Sequence, residues 1–177
     1  MKELGSQAPD FALRDVVSGK IVARKDVAGP KGMLAMFICR HCPFVKHVQD
    51  ELAKIGRDYA SRGVGMVAIS SNDVTSHPED SPIKLAYQAQ EVGFTFPYLF
   101  DETQDVARAY DAQCTPDFFL YDGDGRLVYR GQLDDSRPGN DIPVTGKDLR
   151  AALDAVIAGR AVPADQRPSI GCNIKWR

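Results

Sequence analysis

Residues 33–38 read MLAMFI, an unbroken apolar run, which marks a strand buried on both faces. A second run of this kind, VGMVAISS, covers 64–71. Between them Val45, Val48, Leu52 and Ile55 recur at helical spacing. Residues 43–62 are therefore predicted to form an amphipathic helix ending near Gly63, with Pro43 in the first turn, where a missing N–H is tolerated. Further on, the pattern predicts a helix over 82–93 opened by Pro82, a strand over 96–100 and a short helix over 102–110. Two strands follow, 117–122 and 126–132, joined by DGDG, a hairpin turn signal. Residues 10–28 alternate loosely around Ser18 and Gly19 and read as an N-terminal hairpin. A loop rich in Asp, Pro and Gly (134–145) precedes a last helix over 146–159, with Thr145 as N-cap and Gly159 as stop signal. The tail, 160–177, shows no regular pattern.

Strands alternating with helices call for an α/β fold, a central sheet with helices on both faces. The closing hairpin makes that sheet mixed. We expect one domain over 1–160 and an irregular C-terminal tail, 161–177, packed on it. The 177 residues suit a single core. Net charge is −2, from 22 basic and 24 acidic residues. The basic residues between Arg167 and Arg177 are interrupted by Ile170, Ile174 and Trp176, so no nucleic-acid groove and no membrane anchor are expected. The opening MKELGSQAPDF lacks a signal-like apolar core, and no run has membrane-spanning length. The expected location is the cytoplasm.

The chemistry concentrates in CRHCPFVKH, residues 39–47. A Cys-x-x-Cys between a buried strand and a helix, in a βαβ context, points to a thioredoxin-like fold with a redox centre. Cys39 is expected at the exposed edge of the helix N-terminus. There, free backbone N–H groups, the helix dipole and the cations Arg40 and His41 should lower its pKa. Cys39 is then the nucleophile, and Cys42, one turn on and more enclosed, resolves the mixed disulfide. His41, just before the second cysteine as in strongly oxidising members of this fold, predicts a disulfide less reducing than that of thioredoxin. Two alternatives stand beside this reading. One is a pair of buried free thiols. The other is a zinc or copper site of Cys39, Cys42 and a histidine, His41 or His47. No second Cys-x-x-Cys completes a zinc set, and His47 is expected to face solvent or cap a pocket.

Cys114-Thr115-Pro116-Asp117 leads into a strand of Phe118, Phe119 and Leu120. In a thioredoxin-like fold Pro116 is expected to be cis, facing the cysteines and presenting backbone to substrate, with Thr115 beside the disulfide; otherwise it is an ordinary strand-edge proline. Cys114 and Cys172 are auxiliary thiols. Either the tail folds back, so that Cys172 pairs with Cys114 or relays electrons to Cys39 and Cys42, or it packs as coil on Ile170, Ile174 and Trp176 with both thiols free. The second is the plainer expectation. The groups Asp134, Asp135, Ser136, Arg137 and Asp73, His77, Glu79, Asp80 read as solvated loops, and no spacing ties Arg130 to the cysteines.

GSQAPDFAL, CRHCPFVKH, CTPDFFLYD, GQLDDSRPGN and RPSIGCNIKW together resemble the AhpC/TSA (redoxin) branch of the thioredoxin superfamily, in particular its bacterial peroxiredoxin-like thioredoxin group. The resemblance spans nearly the whole chain. It implies a thiol–disulfide oxidoreductase with Cys39 and Cys42 as the active pair and Pro116 as the cis-proline. Disulfide-containing proteins or small molecules would be the substrates and an external dithiol the electron donor. No cofactor is expected, and the chain would act as a monomer or homodimer. Two positions depart from the pattern. The Thr or Ser three residues before a peroxidatic cysteine is absent: Met36 precedes Cys39, and Cys39 itself precedes Cys42. Met33 stands where thioredoxins bury an Asp. Weak thiol peroxidase activity is therefore only an alternative, as is a copper or zinc chaperone.

Overall fold

The computed structural model describes residues 2–177. The chain opens with a hairpin of β1 (Ala12–Asp15) and β2 (Ile21–Ala23), followed by a single helical turn, α1 (Arg24–Val27). Then come β3 (Gly32–Phe37), α2 (Pro43–Asp58), β4 (Val64–Ser70), a 3-10 turn over Pro78–Asp80, α3 (Pro82–Val92), β5 (Tyr98–Phe100) and α4 (Asp105–Tyr110). The remainder is β6 (Cys114–Thr115), β7 (Asp117–Asp122), β8 (Leu127–Gly131), α5 (Lys147–Ile157) and β9 (Cys172–Asn173).

Seven strands form one mixed sheet in the order β2-β1-β5-β4-β3-β7-β8, with β6 and β9 as a separate pair. β4 lies parallel to β3 and β5, while β7 is antiparallel to β3 and β8. All six residues of β3 are buried, as its unbroken apolar run requires. Alternation along the strand sends Leu34 and Met36 into one core with α2, α3 and α5, and Met33, Ala35 and Phe37 into another with α4. The sequence thus dictates a sheet covered on both faces. Among the described residues no helix is long and apolar enough to cross a membrane.

The boundaries shift for local reasons. α2 stops at Asp58, short of the expected 62, where the buried Tyr59 donates its hydroxyl to Asp154 at 2.7 Å. Thr145 is not the N-cap of α5. Gly146 is, at φ +70°; the Thr145 hydroxyl accepts the Lys147 N–H at 3.3 Å, and the Asp134 carboxylate holds the turn before the helix by accepting the N–H groups of Thr145 and Gly146 at 2.8 and 2.7 Å. Asp134 and Ser136 are consequently buried, not solvated. The tail is not wholly irregular: β9 pairs antiparallel with β6, placing Cys172 opposite Thr115. Of its three expected anchors only Ile174 is buried; Ile170 and Trp176 are exposed, and Trp176 lies under the Arg108 guanidinium.

Candidate active site

Cys39 leaves the end of β3 and Cys42 is the N-cap of α2, with Pro43 filling the first helical position. The Thr115–Pro116 peptide bond is cis and faces them. The Cys39 sulfur lies 3.4 Å from the Thr115 hydroxyl, and the Cys42 thiol points at the Thr115 carbonyl, also at 3.4 Å. Gln88 of α3 donates to the Cys39 carbonyl at 3.0 Å and is itself held by the Tyr98 hydroxyl at 2.9 Å. The expected edge position of Cys39 is corrected here: both sulfur-bearing residues are 0% exposed, and Cys172 of β9 lies against Cys42.

Asp80 is the residue that the sequence hid. Read as part of a solvated loop, it is 0% exposed. Its carboxylate accepts the backbone N–H groups of Arg40 at 2.8 Å and His41 at 3.1 Å, the Asn72 amide at 3.0 Å, and the Nδ1 of His41. A buried carboxylate needs this many donors to offset its lost hydration. In return it fixes the backbone between the two cysteines. Asp73, His77 and Glu79 remain at least partly exposed, as expected, with the His77 ring 4.9 Å from that of His41.

This arrangement overturns the expected electrostatics of Cys39. Arg40 turns away to Glu79 at 3.2 Å, and the His41 ring is engaged by Asp80. The Cys39 thiol is pushed up, first because it donates to Cys42, then by burial and by the Asp80 charge. Cys42 is correspondingly lowered to about 4 by the hydrogen bond from Cys39, with Cys172, Thr115 and the Val45 N–H adding to it against burial. The two thiols therefore titrate as a pair, with the first proton lost more easily than from an ordinary thiol and the second held more tightly.

Cys172 joins them. Its sulfur is 2.7 Å from that of Cys42, and its thiol is free, as the plainer expectation had it, but it sits at the active pair. Cys114 is not its partner. Adjacent strand residues point to opposite faces, so Thr115 faces the thiols while Cys114 turns into a pocket with Asp117 and Arg130. There burial raises Cys114 to about 12 and Asp117 to about 6. His47 lines a different small pocket beside Pro116, its Nε2 buried without a partner, and stays outside the thiol cluster. Asp135 and Arg137 interact within their own loop region, through Gln132 and Lys147.

The tail is fastened on both sides of Cys172. Upstream, Ser169 donates to the Pro116 carbonyl at 2.6 Å and the Gln132 N–H to the Arg167 carbonyl at 2.9 Å. Downstream, the Lys175 N–H donates to Asn72 at 2.9 Å and Gln104 donates to the Lys175 carbonyl at 2.8 Å. Gly171 fits because a Cβ there would run into the Thr115 carbonyl. Asn72, Asp80, Gln88 and Gln104 all escaped sequence reasoning. The rule that α/β sites form at the carboxyl ends of strands would have flagged Asn72, which follows β4 by two residues.

Three ligand atoms, one each from Cys39, His41 and Asp80, lie within 4.8 Å of one another, a set able to hold a metal ion. Asp80 already accepts four donors in this geometry, so its charge is satisfied by protein groups.

The sequence profile of the AhpC/TSA family matches residues 4–130. Thiol-disulfide oxidoreductase ResA of Geobacillus thermodenitrificans is 30% identical over 127 residues, 70% of this chain and 66% of the relative; the chain thus spans just under two thirds of its length. A crystal structure of a conserved protein from Geobacillus kaustophilus superimposes with TM-score 0.98 at 59% identity, covering 100% of this chain and 94% of the other, tail included. A thiol:disulfide interchange protein DsbE from Chlorobium tepidum shares the fold, with TM-score 0.69 at 20% identity over 89% of this chain and 99% of the other.

Proposed function

The chain belongs to the AhpC/TSA family, and we propose that within it the protein is a thiol–disulfide oxidoreductase acting through Cys39 and Cys42. The observation that carries this reading is the placement of both sulfurs at the start of α2, each 3.4 Å from Thr115 and set against the cis Thr115–Pro116 bond. Cys39 passes its proton to Cys42 and attacks a disulfide of the substrate, which releases one thiolate. Cys42 then attacks the Cys39 sulfur and releases the second, its proton going to the departing thiolate. The enzyme gains a disulfide and the substrate a thiol and a thiolate, which takes its proton from solvent; an external dithiol reverses the change. Thr115 offers its hydroxyl to the Cys39 sulfur, and its backbone is the edge along which an extended substrate aligns. Arg40 is paired with Glu79 and His41 with Asp80, so each cation reaches the cysteines together with a carboxylate, and a His41 ring nitrogen stays within 4.8 Å of the Cys39 sulfur.

The experiment is reduction of a model peptide disulfide under a dithiol donor. Activity should vanish in Cys39→Ser; retained turnover would refute Cys39 as the attacking sulfur. A second reading, metal binding by Cys39, His41 and Asp80, draws on their mutual proximity. Copper or zinc retained at one equivalent through anaerobic purification, and lost in Asp80→Asn, would favour it. For peroxidase chemistry, the hydroxyl near Cys39 comes from Thr115, and Met36 occupies the upstream position inside the sheet core.

A further inference from the structure

The contact between Cys42 and Cys172 joins positions 130 residues apart. It is made by a strand that uses the backbone edge of Thr115, the edge the exchange reading assigns to substrate. The tail is latched by Ser169 to Pro116 and by Lys175 to Asn72 and Gln104. We propose that Cys172 is a third redox thiol, which exchanges into the active pair to form a Cys42–Cys172 disulfide on a strand seated where an extended substrate would lie. The proposal rests on the exchange reading of Cys39 and Cys42.

The step is an isomerisation. Starting from the Cys39–Cys42 disulfide, the Cys172 thiolate attacks the Cys42 sulfur. The Cys42–Cys172 bond forms as the Cys39–Cys42 bond breaks, and Cys39 leaves as thiolate and takes up the proton Cys172 gave up. No electrons enter or leave, and no co-reactant is needed. Cys42 is the only one of the three whose sulfur touches both others among the described residues, so it is the shared sulfur. In the reduced protein burial raises Cys172 to about 11, and its hydrogen bond to the Cys42 sulfur raises it further. Once Cys42 is in a disulfide that second cause is gone, while Lys175 and the Phe44 N–H continue to favour the Cys172 thiolate. The product leaves Cys39 free and ties the tail covalently over the groove.

The test is disulfide mapping of the full chain equilibrated with oxidised glutathione, acid-quenched and alkylated. Trypsin cuts after Arg40, between the two active cysteines, so the three pairings give different linked peptides. Wild type should contain both Cys39–Cys42 and Cys42–Cys172, within about tenfold of each other, and Cys39→Ser should close Cys42–Cys172 alone. A Cys39→Ser protein that ends as a Cys42–glutathione adduct with Cys172 free would overturn the proposal while leaving the exchange reading intact, provided Cys172→Ser still forms Cys39–Cys42. Loss of Cys39–Cys42 in both wild type and Cys172→Ser would overturn the exchange reading and this proposal with it. Emission of Trp176, the sole tryptophan, reports whether the tail of each variant stays docked.

Discussion

Asn72 holds Asp80 with one end of its side chain and the tail with the other: its amide donates to the Asp80 carboxylate at 3.0 Å, and its carbonyl accepts the Lys175 N–H at 2.9 Å. The loop that carries Cys39 and Cys42 is therefore connected, through two buried side chains, to the segment that covers it.

Asp80→Ala should be among the most damaging single changes. It strands the N–H groups of Arg40 and His41 and the Asn72 amide in a dry pocket, a cost of about 3 kcal/mol. Asp80→Asn removes the charge and keeps an acceptor. Since the Asp80 charge helps hold the Cys39 thiol up, this variant should ionise Cys39 at lower pH. Thiolate absorbance against pH reads the shift; an unchanged curve would remove Asp80 from the tuning of the pair.

Stability of the reduced protein should depend on pH in two opposite ways. In the folded chain the first proton of the Cys39–Cys42 pair leaves well below the ordinary thiol range, because the hydrogen bond between the two sulfurs favours the thiolate; in an unfolded chain each thiol titrates at roughly 8.5. Across that window the unfolded state binds more protons, so stability rises with pH and is lost as acid protonates the pair. Cys39 shifts the other way. Above its unfolded value the unfolded chain ionises a thiol that the fold keeps protonated, and stability declines. Urea unfolding at about pH 5, 8 and 10 should show a maximum in the middle, with the rise from 5 to 8 abolished in Cys42→Ser.

Gly171→Ala should lift the tail off Thr115, because the new methyl has the Thr115 carbonyl in its way. Overpacking of this kind costs about 1–3 kcal/mol, enough to make Cys42 react with a bulky maleimide about tenfold faster or more. Equal rates in variant and wild type would mean that the groove opens by some route other than departure of β9.

Gln104 allows a paired comparison. It is buried at φ +69°, in the left-handed region, and donates to the carbonyls of Ser71 and Lys175. Gln104→Ala and Gln104→Gly both lose these bonds, but only the glycine relieves the backbone. The two should differ by about 1 kcal/mol in favour of glycine. Both should alter Trp176 emission, since the Arg177 N–H also donates to the Gln104 side chain at 3.2 Å.

The strands, the main helices and the Cys-x-x-Cys were legible because each is a local pattern: an apolar run, a helical repeat, a motif at a strand–helix junction. The cis Thr115–Pro116 bond followed from the expected fold. Asp80 was not legible. Its neighbours, His77, Pro78 and Glu79, look like a polar loop, and the donors that make its burial tolerable come from about forty residues away, at Arg40 and His41. The tail misled for a similar reason. A two-residue strand such as Cys172–Asn173 has no periodicity to detect. The sign that did exist was Gly171, a residue without a Cβ next to a cysteine, and its meaning depends on the Thr115 carbonyl it approaches. Arg40 and His41 were read as cations near a thiolate, but side-chain direction decided the matter, and both turn toward carboxylates.

The pairing of β9 with β6 also sets the terms on which any partner enters. A strand tethered to its own groove competes as though present at about millimolar concentration, whatever its intrinsic affinity. A short disulfide with no peptide on either side has nothing to offer in exchange for the hydrogen bonds of Cys172 and Asn173. A protein segment able to lie flat along Thr115 replaces them one for one. On the exchange reading the tail would then act as a selectivity filter, admitting clients by their capacity to form a strand before their sulfur chemistry is ever sampled.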